Sequence, residues 1–240
     1  MKSTFLIMRR ELGSYLRSMS GYVIAAIFLL VVGLLFNAMA MAGEKLSSEV
    51  LSQFFFNTSG LVIAAAVLIS MRLFAEERQT GTLVLLASSP VHDWEIVLGK
   101  FLSALIFLTL IVAATVFMPL LIFVNGKISL GHMAAGYICL FLIGAATLAI
   151  GTFGSSLART QVLAVIISAC ITAGLIVCWM LAKVTEAPLN DMFTALALHG
   201  RHFPPFQAGA IHLRDVGYYL MVTYVALFSA TRVMEARRWR

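Results

Sequence analysis

Six long apolar runs, at residues 22–42, 54–73, 101–124, 133–157, 162–182 and 216–231, constrain this chain more than any other feature. They carry no charged side chain apart from Arg72, near the end of the second. A helix needs about 20 apolar residues to cross roughly 30 Å of hydrocarbon, so each run predicts a membrane span. The last is short, and Gly217, Tyr218 and Tyr219 put its start in the aromatic interface zone. The second opens ambiguously, because Asn57, Thr58 and Ser59 are polar. Of the 240 residues, 61% are hydrophobic and 12% charged, against about 45–50% and about 25% in soluble domains. Too few polar residues remain to cover a surface facing water. The expected fold is an all-α polytopic membrane protein with six transmembrane helices, which excludes a secreted disulfide scaffold, a disordered chain and most soluble enzymes. Cys139, Cys170 and Cys178 have no CxxC spacing and read as small apolar core residues.

Charge sets the orientation. With the N-terminus inside, only Lys45, Lys127, Lys183, Arg201 and Arg214 of the 17 basic residues fall outside. That asymmetry predicts both termini in the cytoplasm. The formal charge of +6 then belongs beside anionic lipid, and no nucleic-acid partner is expected.

Residues 1–20 precede the first span. Phe5, Met8, Leu12, Leu16 and Met19 recur three or four residues apart, which is helical spacing, and Arg9, Arg10, Glu11 and Arg17 fall largely on the other side. The pattern predicts an amphipathic interface helix. It could anchor the topology, touch a cytoplasmic partner through Arg9, Arg10, Glu11 and Leu12, or do both. Ala38-Met39-Ala40 has the small-residue look of a signal cleavage site. The apolar run before it is longer than the about 7–15 residues of a signal peptide, so the first span is expected to stay.

The segment at about 74–100, between spans two and three, is the densest signal. It reads Phe74-Ala75-Glu76-Glu77-Arg78-Gln79-Thr80-Gly81-Thr82, then Leu83-Val84-Leu85-Leu86, Ser88-Ser89-Pro90 and His92-Asp93-Trp94. Thr82 can cap a short helix after Gly81, Pro90 stops it, and Asp93 is a candidate N-cap for the third span. Four consecutive apolar residues facing water are costly unless covered. The short helix therefore lies against the membrane or docks into a partner.

These residues carry a resemblance. Glu76-Glu77-Arg78-x-x-Gly81-Thr82-Leu83, then Ser89-Pro90-Val91 and Ile96-Val97-Leu98-Gly99-Lys100, resemble the hallmark of ABC-2-type transporter permeases. Arg10-Glu11-Leu12-x-Ser14-Tyr15 with Gly21-Tyr22-Val23, and Ile150-Gly151-x-Phe153-x-Ser155-Ser156-Leu157 with Gln161, resemble that family's interface helix and its turn between spans four and five. Phe206-x-x-Gly209-x-Ile211-x-Leu213-Arg214-Asp215-Val216 and Arg237-Arg238-Trp239 look most like the gliding-motility-type subfamily. Val84 departs from the pattern, because many relatives carry a glutamate there. The resemblance implies a coupling helix at 82–87 that seats in an ABC ATP-binding subunit. Glu76, Glu77, Arg78, Gly81, Thr82, Leu83, Leu85, Leu86 and Pro90 would form that partner-binding element. It further implies a second permease copy or a related permease, a companion with an extracytoplasmic domain, and a place in a bacterial inner membrane. The long segment at about 183–215 holds Leu189, Phe193 and Leu196 at helical spacing and a break at Pro204-Pro205. It is either a surface amphipathic helix with a loop or, as the resemblance implies, a pair of short re-entrant helices.

Some chemistry is missing. No GxxxxGK[ST] occurs, so this chain is not expected to hydrolyse ATP and no cofactor is expected in it; if transport is ATP-driven, as the resemblance implies, ATP and magnesium belong on a separate chain. Ionisable residues are absent from the middle of the spans, which weakens an ion-coupled carrier. His199, His202 and His212 lack a supporting Cys or carboxylate cluster and read as solvent-facing rather than metal-binding. The stripe Gly136, Gly144, Ala145, Ala149, Gly151 and Gly154 reads as packing within one bundle ahead of a seam between subunits. Function then reduces to three readings: the permease subunit of an ATP-driven exporter, a mechanotransmission module that moves no cargo, and a channel independent of an ATPase.

Overall fold

The computed structural model describes residues 2–40, 47–81, 91–125, 129–186 and 188–238. Every element among them is a helix: α1 (Lys2–Arg17), α2 (Met19–Ala40), α3 (Ser47–Ser70), α4 (Ala75–Gln79), α5 (Asp93–Ala113), a 3-10 turn (Ala114–Val116), α6 (Phe117–Asn125), α7 (Leu130–Leu157), α8 (Gln161–Val184), α9 (Leu189–Leu196), α10 (Pro204–Gln207) and α11 (Leu213–Arg238). Six segments are long and apolar enough to cross a membrane, so the chain is an all-α polytopic membrane protein.

The centre of the bundle is α7, packed by α3, α5, α8 and α11. Its small-residue stripe decides this. A methyl group on Gly136 would overlap the Phe55 ring, and one on Gly154 would overlap Ser168. The stripe lets spans two and five approach the central helix within one chain, as its spacing predicts. By contrast, α2, α8 and α11 are the least buried spans and leave broad faces such as Ile27, Leu30, Leu34, Val162 and Ile166 exposed.

Boundaries differ from the apolar runs in two places. The third span starts at Asp93 rather than 101, with His92 in the cap position, so Asp93 is the first helical residue and not the cap. Glu95 and Lys100 in its first two turns are buried in protein, and their charges hid the start from an apolar-run reading. The same span changes course at 114–116. Pro119 has no N–H for the carbonyl of Thr115, and the chain answers with a 3-10 turn just before it. In the same turn Thr115 Oγ1 donates to Val112 O at 2.7 Å.

At the opposite end from α1, the segment from α9 to α10 packs beside α8, α3 and α7. Leu198 N donates to Leu175 O at 3.2 Å, more than two turns below the end of α8. Tyr218 and Tyr219 hydroxyls donate to Leu196 O and Leu198 O at 2.8 and 3.0 Å. His202 is buried, with Nδ1 2.7 Å from Asp215 Oδ1 and its ring stacked on Tyr218. His199 is half-buried between Phe56 and Phe203, 2.7 Å from Ser59 Oγ. These two positions correct the solvent-facing expectation: thirteen residues separate His202 from its carboxylate, and only the fold joins them. His212 is exposed as expected.

Candidate functional site

The motif Glu76-Glu77-Arg78 lies on α4, and each of its side chains is engaged with a different part of the bundle. Glu76 takes a two-pronged hydrogen bond from Arg72, Nε to Oε2 at 2.7 Å and Nη2 to Oε1 at 3.1 Å. Paired geometry of this kind adds direction to charge. The remaining arm of Arg72 reaches Ser18, in the break between α1 and α2, and Ser20 in the first turn of α2. Glu77 accepts from Lys100 Nζ at 2.7 Å, and the same ammonium meets Glu11 of α1 at 3.3 Å. Lys100 is only 1% exposed, so these two carboxylates rather than water face its ammonium. Arg78 donates to Ser156 O at 3.0 Å and to Ala158 O, which places a cation on the unsatisfied carbonyls at the end of α7.

Two residues complete the frame. Ser155 Oγ accepts from the backbone of Phe74 and Ala75, both at 3.1 Å, and so caps the reversal from α3 into α4. Tyr15 stacks on Phe107 and donates to Ile69 O at 3.2 Å, a carbonyl the end of α3 would otherwise leave open. Burial raises the Tyr15 hydroxyl far above its ordinary pKa, with nearby Glu11 adding to the effect. It therefore stays a neutral donor.

Close approach makes this possible. Gly99 sits where a Cβ would lie 2.9 Å from Ile7 Cγ2 and 3.0 Å from Thr4 O, so only glycine lets α1 lie directly on α5. The face α1 turns to α5 is Thr4, Ile7, Glu11 and Tyr15, while Phe5, Leu6, Arg9, Arg10 and Leu16 point away. Leu12 is half-buried against the main core. Gly81 ends α4 with φ +75°, a conformation other residues adopt rarely, and directs the chain into residues 82–90. Thr82, Leu83, Leu85, Leu86 and Pro90 lie outside the described residues. Both stems of that segment, α4 and the start of α5, are joined by the bond between Glu77 and Lys100.

Four of the framing residues have no evident role in the sequence: Lys100, Ser155 and Tyr15 stand in the motifs, and Arg72 lies near the end of the second apolar run. A signal was present for one of them. A lysine on the membrane side of Asp93 and Glu95 demands a buried partner, and Glu11 and Glu77 are acids on its own side.

At the other end, a cleft of about 660 Å³ is lined by Ser48, Glu49, Ser52, Gln53, His132 and Gln207. His132 Nε2 and Ser52 Oγ both donate to Gln207 O, at 2.7 and 3.0 Å. Among the described residues no group of three or more His, Cys, Asp or Glu could hold a metal ion.

Helices alone, long enough to cross a bilayer and bolted together at one end by ion pairs, define a multi-pass membrane protein. A family model described as ABC-2 family transporter protein matches residues 5–207, and the chain belongs to that family. It is thus a membrane permease subunit of an ABC transporter, a transmembrane component of a kind generally not catalytic itself, whose family implies an ABC ATP-binding partner. No curated protein matches the chain.

Proposed function

We propose that this chain is the permease of an ATP-driven exporter, worked from the cytoplasm through residues 82–87 acting as a coupling helix. One observation carries the reading. The stems of the 82–90 segment are tied to the interface helix, to span two, to span three and to the end of span four by Glu11, Arg72, Glu76, Glu77, Arg78 and Lys100. A push on that segment therefore reaches four parts of the bundle at once. Gly81 gives the segment its exit angle, and Leu83, Leu85 and Leu86 supply the apolar surface for an ATP-binding subunit that carries ATP and magnesium. Arg9 and Arg10, exposed on α1, suit the rim of the same partner or the anionic headgroups beside it.

In this reading both termini are cytoplasmic in a bacterial inner membrane, as the basic residues favour. Two copies, or one copy and a related permease, enclose the pathway, because six spans are few for one. The re-entrant α9–α10 segment closes its outer mouth, supported by the depth at which Leu198 and His199 meet α8 and α3. The polar cleft beside Gln207 offers cargo hydroxyl, amide and carboxylate partners on leaving. A gliding-motility-type system with an extracytoplasmic companion is the subfamily proposed. Force transmission without cargo is the competing reading, favoured by the dry packing of α3, α5 and α7.

The test is a pull-down in gentle detergent with Leu83→Asp and Leu86→Asp together. Loss of the ATP-binding subunit from the variant, with its retention by the wild type, supports docking. A wild type that captures no such subunit overturns it. Cargo movement in sealed vesicles separates export from force transmission.

A further inference from the structure

Three arginines of α1 border one space. An open groove of about 660 Å³ runs along that helix, and Arg9, Arg10, Gly13, Ser14, Arg17 and Ser18 line most of it. Thr4, Ile7, Glu11 and Tyr15 face α5, so the groove lies on the side left to the surroundings. Arg10, Gly13 and Arg17 follow one another at three and four residues and share one stripe of the helix. Gly13 forms the floor. A Cβ there would meet nothing within 4 Å, so an incoming group can reach the helix surface between the arginines.

Charge separates these arginines from the other cations at this end of the bundle. Arg72 meets Glu76, Arg78 meets the carbonyls of Ser156 and Ala158, and Lys100 meets Glu11 and Glu77. Arg9, Arg10 and Arg17 are exposed and make no hydrogen bond or ion pair among the described residues. No acid stands in the groove wall, because Glu11, the carboxylate of α1, is turned to Lys100. Three guanidinium groups around one space with no internal counter-charge fit an external anion, and guanidinium forks match phosphate oxygens.

Position selects the source of that anion. Ser18, at one end of the groove, accepts from Arg72 Nη1 at 3.3 Å, and α2 begins at the next residue, Met19. The groove therefore ends where the first span begins and the second turns back into α4. Beside the arginines, Phe5, Leu16 and Met19 expose apolar side chains. An apolar edge next to a basic edge suits a helix with one side at acyl chains and the other at headgroups. An acidic protein face answers the arginines alone, whereas a bilayer surface answers both edges.

We propose that this groove binds the phosphate of an anionic phospholipid, held by Arg9, Arg10 and Arg17 with the Ser14 hydroxyl as a further donor. Arg9 and Arg10 are thereby assigned to a headgroup rather than to the rim of a partner, whether or not residues 82–87 dock an ATP-binding subunit. A lipid held there fastens α1 to the bilayer surface and, through Glu11 and Lys100, fastens the stems of the 82–90 segment as well.

Native mass spectrometry of the purified chain with added phosphatidylglycerol or phosphatidylcholine tests the site. Wild type should retain phosphatidylglycerol in preference. Arg17→Gln should lower that retention about five-fold, the worth of one surface arginine toward anionic lipid. Arg9→Gln, Arg10→Gln and Arg17→Gln together should abolish the preference. Gly13→Leu keeps all three arginines, fills the floor and clashes with nothing, so it should lower retention with no fall in melting midpoint. Arg159→Gln, at an exposed cation in the turn from α7 to α8, should change nothing. A triple variant that prefers phosphatidylglycerol as wild type does overturns the proposal. So does a Gly13→Leu protein that binds like wild type, or an equal loss from Arg159→Gln, because diffuse surface charge then accounts for the retention. A triple variant that keeps its lipid but loses the ATP-binding subunit in a pull-down overturns it in favour of a protein face. A wild type that shows the lipid site and captures no such subunit overturns the docking of residues 82–87 alone and supports the site.

Discussion

Replacing Lys100 with methionine keeps the length of the side chain and removes its charge. From the structure, Lys100 Nζ lies 2.7 Å from Glu77 and 3.3 Å from Glu11. At an effective dielectric of about 20 those separations give gross attractions of about 6 and about 5 kcal/mol. Desolvating an ammonium that is 1% exposed costs several kcal/mol, so the net value of the cluster is far smaller. The variant nevertheless leaves two neighbouring carboxylates without their shared cation. Breaking a buried pair in this way costs about 3–5 kcal/mol, and the partial exposure of Glu11 and Glu77 favours the lower figure. For a chain of this size 1 kcal/mol moves a melting midpoint by about 2–4 °C, so Lys100→Met should melt about 6–12 °C lower. The assay is thermal unfolding in one detergent, run as a cycle with Glu77→Gln and the double variant. Glu77→Gln on top of Lys100→Met should recover part of the loss, since it removes one of the two negative charges that shared the cation. A Lys100→Met protein melting within 2 °C of wild type, or strictly additive losses, would refute the idea that the cluster acts as one unit.

Four further outcomes are expected. Gly99→Leu should force α1 off α5 at a cost of about 1–3 kcal/mol, read as a lower melting midpoint and as faster proteolysis within residues 2–17. Ser155→Ala leaves the N–H groups of Phe74 and Ala75 without their acceptor, which should cost about 1–3 kcal/mol. Ser155→Thr, which restores a hydroxyl, should recover part of that in the same melting assay. Burial holds the His199 pKa below its ordinary value. The folded protein therefore binds fewer protons at this ring than the unfolded chain, and stability should fall as pH drops through about 6.5; melting at pH 7.5 and 5.5 should differ less in His199→Gln. Finally, Arg78→Ala should release the carbonyls of Ser156 and Ala158, and hydrogen exchange at the end of α7 should rise while α2 is unaffected.

Much of this was readable in the sequence, and the failures share one physical origin. The six runs announced six spans because hydrocarbon admits few alternatives. Pairs close along the helix, such as Arg72 with Glu76 four residues on, follow from spacing alone. Contacts that join distant segments do not. Nothing in the order of residues says that Arg78 points at Ser156 and Ala158, or that His202 meets Asp215. The start of α5 was hidden for a related reason. Asp93, Glu95 and Lys100 look like loop residues by polarity, yet α1 and α4 supply the protein surroundings in which a charged helical turn is at home. The motif Glu76-Glu77-Arg78 was visible as a motif, but the bundle interior, rather than a partner, accounts for the side-chain bonds described on it. The stretch 82–90 is a different matter, since its apolar residues carry the docking reading on sequence alone.

The bond from Arg78 to the end of α7 has a consequence for assembly. Residue 78 leaves the ribosome some eighty residues before its partners at 156–158 do. Until the fourth span has been inserted, α4 carries a guanidinium and a serine-bridged turn whose acceptors do not yet exist. The N-terminal half of the chain cannot complete its own surface, and the clasp closes only on a bundle with four spans in place. A chain stopped short of α7 therefore lacks the acceptors at 156–158 and the Ser155 hydroxyl that hold α4 in the complete bundle.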